Sequence, residues 1–215
     1  MDFSRVLHLG LAMATLYAII ALWLVVRAMF RYRRATSFSR SVGAEMDGIT
    51  YAFTRGMMPS AKESARQHMP TFVGGMLYHF GVFTALANLA GIVFKFQLLP
   101  IVALGVRLVI LAGLIAGLSL LIKRFTQPKM RIISTPDDYI ANGLVDLFLT
   151  LSVTVSMSPK LEPYLLIAAI LLLVYVPIGK IRHCVFFFFT RVNFGKLFGR
   201  RGVLPHTAGQ HAEIR

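Results

Sequence analysis

"VLHLGLAMATLYAIIALWLVV", residues 6–26, runs on without a single Asp, Glu, Lys or Arg. At ~1.5 Å of rise per helical residue, roughly 20 such residues cross ~30 Å of hydrocarbon. No small-residue cleavage site follows, so the stretch reads as a retained first span rather than a signal peptide. Similar runs follow at about 70–94, 101–122, 139–157 and 164–189, joined by short polar turns such as "SPKLEP". The spacing predicts an all-α membrane protein, a bundle of five transmembrane helices over residues 1–190. A basic, flexible cytoplasmic tail is expected over 191–215. Pro70 at the start of the second span suits this reading, because the first helical turn tolerates proline.

Composition agrees. Hydrophobic residues are 56% of the chain and charged residues 15%, more apolar surface than a soluble fold of this length can hide. A formal charge of +14 invites a nucleic-acid reading, but its distribution argues otherwise. Residues 27–66 hold eight Lys/Arg, 123–131 four and 180–215 seven, against Arg5, Lys95, Arg107 and Lys160 elsewhere. Lys and Arg concentrate in cytoplasmic loops, which predicts an outside N-terminus and a cytoplasmic C-terminus. Nucleic-acid binding is then not needed. Between the first two spans, "SVGAEMD" and "TRGMMPSAKESARQH" read as short amphipathic pieces at the surface. The lone Cys184 excludes an internal disulfide and a Cys-rich metal centre; it reads as a packing residue.

Lys180 and Arg182 interrupt the last run, "YLLIAAILLLVYVPIGKIRHCVFFFFT". Long cations near a helix end snorkel, so one helix is expected to continue to Phe189. On that reading His79 and His183 are the two histidines placed within spans away from their ends, His8 lying near the end of the first. His79 lies ~13 Å from the positively charged end and His183 ~9 Å from it. Each could make an interhelical hydrogen bond, or the pair could ligate one haem iron. Gly75, four residues before His79, shares its helix face, as does Phe83; both would leave or line space for a macrocycle. The Phe186–Phe189 run could pack on a porphyrin or face lipid. Arg182, Lys180 and His68 are available for propionates. His8 and His68 suit an interface, and His206 and His211 a solvated tail.

Two ionisable residues remain inside spans, where they suggest function by default. Asp146 could accept a proton beside a quinone or bond a neighbouring helix. Arg107 is expected to snorkel to outer headgroups. Asn88 could contact a quinone or glue helices together.

"LYHFGVFTALANLAG", "KRFTQPKMRIISTPDDYI" and "VPIGKIRHCV" together resemble the second span, third cytoplasmic loop and fifth-span end of the respiratory nitrate reductase gamma subunit. This resemblance covers residues 70–190. The same superfamily of membrane cytochromes b includes the cytochrome b subunit of heterodisulfide reductase and membrane subunits of dissimilatory sulfur metabolism, towards which "GMMPSAKESARQHMP" leans. The resemblance implies haem b, quinone as substrate, a cytoplasmic iron–sulfur partner subunit in a hetero-oligomeric complex, and a prokaryotic cytoplasmic membrane. It implies His79 and His183 as axial ligands of the inner haem. The outer-haem positions fall on Leu89 and Leu165, which cannot ligate, so one haem is expected instead of the family's two. Arg124, Lys129 and Arg131, with the first loop, would dock the partner. A cofactor-free anchor for a soluble enzyme is the competing expectation; a transporter lacks a visible repeat.

Overall fold

The computed structural model describes residues 3–31 and 40–204. His206, His211 and the rest of the tail beyond residue 204 lie outside the described residues, as do 32–34 of the first basic cluster. Every regular element among the described residues is helical. In chain order they are α1 (Phe3–Arg31), α2 (Glu45–Phe53), α3 (Glu63–Gln67), α4 (Met69–Val93), α5 (Pro100–Thr126), α6 (Pro128–Ile133), α7 (Pro136–Val155), α8 (Glu162–Tyr175) and α9 (His183–Arg200). Among them α1, α4, α5 and α7 are each long and apolar enough to cross a membrane, and a fifth crossing is reached if α8 and α9 count as one broken span.

The expected continuous fifth helix is corrected. Helix α8 stops at Tyr175, and a turn with a 3₁₀ segment, Lys180–Arg182, separates it from α9. Pro177 cannot donate to the ladder, and its ring clashes with the preceding turn of a helix. Gly179 completes the break: its amide bonds the Tyr175 carbonyl at 2.9 Å, and a Cβ there would collide with the Tyr175 ring. The flexible tail is corrected too, since residues 191–200 continue α9.

The chain forms two compact units. The first holds Met1–Ala28 with His68–Arg182, and the second Met29–Gln67 with His183–Arg215. In the first, α4 packs on α5, α5 on α7 and α7 on α8. Phe148, Leu149, Ile110, Leu165 and Leu166 are its fully buried large side chains. Helices α4 and α5 meet at Gly81 and Gly113, where a Cβ on either would lie 2.6 Å from the other's Cα. Small residues let membrane helices approach this closely. Neighbours run antiparallel: Lys123 near the end of α5 bonds Thr71 near the start of α4 at 2.5 Å. At the other end, Arg107 of α5 reaches the Ser156 carbonyl beyond α7, and His8 of α1 lies 4.0 Å from Glu162 of α8. Helix α7 opens on a capping box, Thr135 with Asp138, the pattern its Thr-Pro-Asp-Asp sequence encodes.

In the second unit, α2 packs along α9 through glycine on both sides. A Cβ on Gly48 would strike the Gly195 carbonyl, and one on Gly199 would sit 2.6 Å from the Ala44 carbonyl. The Val42 and Gly43 amides donate to the Arg200 carbonyl at 3.0 and 3.1 Å. They thereby satisfy a carbonyl that the end of α9 leaves without a helical donor. The segment that reads as surface pieces therefore has a fixed partner in the C-terminal helix.

Candidate functional site

His79 sits in the middle of α4, and its ring is anchored by its own helix. Nδ1 lies 2.6 Å from the carbonyl oxygen of Gly75, one turn earlier. A carbonyl only accepts, so Nδ1–H donates, and Nε2 is the nitrogen on the far side of the ring. The ring faces outward from its unit, with Phe83 6.4 Å away centroid to centroid and itself 63% exposed. A Cβ added at Gly75 would meet nothing within 4 Å. An oriented imidazole beside open space is what a haem iron requires of one axial ligand; an N–H bonded to a carbonyl also fixes ring orientation and raises ligand basicity. Among the described residues no three of His, Cys, Asp and Glu gather as a metal site. Haem takes two nitrogens from the protein, and of the two histidines expected to supply them His79 has its ring orientation fixed by its own helix.

His183 has a different setting from the one expected. It is the first residue of α9, exposed, directly after the break, so a depth counted along a helix ending at Phe189 does not apply. It belongs to the second unit and His79 to the first. Arg182 closes the 3₁₀ turn, with its amide on the Gly179 carbonyl at 3.3 Å. His68 is the exposed N-cap residue of α4. Three rings of the phenylalanine run meet other rings: Phe187 and Phe188 lie 6.2 and 6.3 Å from Phe53 of α2, and Phe189 5.7 Å from Phe30, while Phe188 remains 61% exposed.

Leu89 and Leu165 are 7% and 0% exposed and belong to one hydrophobic cluster with Ile110, Phe148 and Leu149. Both positions are filled by packed hydrocarbon. Asn88, beside Leu89, is half-buried.

Polar groups meet in the interior of the first unit. Asp146 is 4% exposed. The Asn142 amide, one turn earlier on α7, donates to Asp146 Oδ2 at 2.8 Å, and lies 3.2 Å from the Tyr78 hydroxyl of α4 and 3.4 Å from the Gly117 carbonyl of α5. Tyr78 donates to the Asn142 carbonyl at 3.3 Å. Gly117 makes this possible: a Cβ there would collide with both Asp146 Oδ1 and the Tyr78 ring. Arg107, expected to snorkel to headgroups, has a partner within the protein. Its guanidinium donates to the Ser156 carbonyl at 3.2 Å, placing a cation at the negative end of α7.

At the end of this unit where α7 begins, Asp138 gathers charge. Lys180 Nζ lies 2.5 Å from Asp138 Oδ2, and Arg124 3.5 Å from Oδ1. Arg124 also donates to Ser134 Oγ at 3.0 Å, and Tyr175 bonds the Asp137 carboxylate. Sequence reasoning assigned Lys180 to propionates and Arg124 to docking; both are engaged within the unit. It also missed Tyr78, Asn142 and Gly117. The four-residue spacing Asp138–Asn142–Asp146 was the available signal, since it sets polar groups on one face of α7.

No protein-family model matches the chain, and no curated protein or solved structure shows significant similarity to it.

Proposed function

We propose that this chain is the membrane subunit of an electron-transfer complex, holding one b-type haem with His79 and His183 as axial ligands. The observation that carries the reading is the Nδ1–H bond from His79 to Gly75, which fixes the orientation of the ring, beside a glycine with open space at its Cβ position. Bound there, haem would supply reversible one-electron chemistry between a membrane quinone and a cytoplasmic iron–sulfur subunit. Gly75 and Phe83 flank the His79 ring, and Arg182 and His68 supply cationic or donor groups for propionates. Leu89 and Leu165 offer no nitrogen for a second iron. Lys129 and Arg131 of α6, with the basic residues of 40–67, supply the docking charge, on the cytoplasmic face by the charge asymmetry. Five crossings, an external N-terminus and a prokaryotic cytoplasmic membrane belong to the same reading.

The test is the reduced-minus-oxidised absorption spectrum of the purified chain. A low-spin b-type spectrum is expected, lost in His79→Ala and in His183→Ala and kept in His68→Ala. A normal spectrum in either of the first two variants refutes the ligand pair. The anchor reading draws on the second unit, whose glycine-packed α2–α9 pair needs only its own protein contacts to offer a basic surface. A chain that is colourless after haem-replete expression, yet pulls down a soluble partner, would favour it.

A further inference from the structure

The cluster around Asp146 contains more acceptors than hydrogens. Asn142 brings two amide hydrogens, and three oxygens compete for them: Asp146 Oδ2, the Tyr78 hydroxyl and the Gly117 carbonyl. Tyr78 brings one, shared between the Asn142 carbonyl and the Asp146 carboxylate. Asp146 Oδ1 is buried and has no hydrogen-bond partner among the described residues. A carboxylate with one oxygen unsatisfied inside a membrane bundle is costly, far more so than a neutral acid.

We infer that Asp146, Asn142 and Tyr78 form a buried proton-binding site, with Asp146 holding one exchangeable proton on Oδ1. A proton is also the ligand whose size suits the place. The Gly117 surface is already occupied by Oδ1 and the Tyr78 ring, and the Asn142 amide hydrogens turn towards the oxygens that an alkali cation would need. The site lies ~15 Å along α7 from Pro136 at ~1.5 Å per residue. Asp138, Asn142 and Asp146 recur every four residues, a polar stripe on one helix face. The proton loads along this stripe from the end where Asp138 meets Arg124 and Lys180. Such a site suits a membrane protein whose work moves charge through the bundle, and it stands whether or not haem binds.

Infrared spectroscopy of the full chain in lipid at neutral pH tests it. The wild type is expected to show the carbonyl stretch of a protonated carboxylic acid that shifts on transfer to deuterium oxide. The band should vanish in Asp146→Asn, which folds because its amide supplies the missing hydrogens. In Tyr78→Phe the band should move, since its immediate surroundings change. In Asp138→Asn it should remain but exchange deuterium more slowly. No protonated-acid band in the wild type means an ionised Asp146 held by Asn142 and Tyr78, and overturns the site. A band that survives Asp146→Asn, or stays unmoved in Tyr78→Phe, also overturns it. An unaltered exchange rate in Asp138→Asn overturns the loading route.

Discussion

A single hydrogen bond decides how His79 is read. A membrane imidazole usually bonds across to a neighbouring helix, whereas this ring bonds the Gly75 carbonyl of its own helix. The i−4 relation was visible in the sequence as a glycine one turn before a histidine, because 3.6 residues per turn put the two on one face. For Asp146 the sequence offered only Asn142, one turn before it on the same face. Its partners Tyr78 and Gly117 come from α4 and α5, and no local spacing announces a contact between helices. Thr135 is the residue whose role the sequence states most directly: its amide and hydroxyl both bond Asp138 Oδ2, at 2.8 and 3.0 Å. Replacing Thr135 with Ala should cost about 1 kcal/mol, the usual loss of an N-cap, seen as a lower midpoint of thermal unfolding in detergent. An unchanged midpoint would show that Pro136 and the Lys180–Asp138 pair alone fix the start of α7.

Helices follow hydropathy wherever it stays uninterrupted. Four runs became α1, α4, α5 and α7, with boundaries shifted by a few residues where prolines and caps decide the ends. The fifth run misled, because "FFFF" is apolar enough to extend a span while Pro177 and Gly179 stop the ladder before it. Its rings are used against Phe53 and Phe30. The α2–α9 pairing lay beyond sequence reasoning for a different reason. Gly195-x-x-x-Gly199 announces a close helix contact, but nothing local names Gly43 and Gly48, about 150 residues earlier, as the other side. Gly48→Val should therefore separate α2 from α9, detected as faster proteolysis within residues 40–67 while the spans remain protected. Gly81→Val should act elsewhere, forcing α4 from α5 at Gly113 and lowering thermal stability. Equal protease resistance in wild type and Gly48→Val would show the glycine contact to be dispensable.

For the whole molecule, composition alone separates a polytopic membrane protein from a soluble one. The structure adds a bundle with charge sorted between its ends: Lys123, Arg124 and Lys180 at one, Lys160 and Glu162 at the other. In the bundle's interior it places one polar cluster and a leucine-packed core. Leu89 and Leu165 lie in that core and offer no nitrogen to an iron. Quantifying haem against protein on the purified full chain, expressed with haem in excess, is the most direct measurement of the central claim. One b-type haem per chain is expected. No haem, or two per chain, would contradict it.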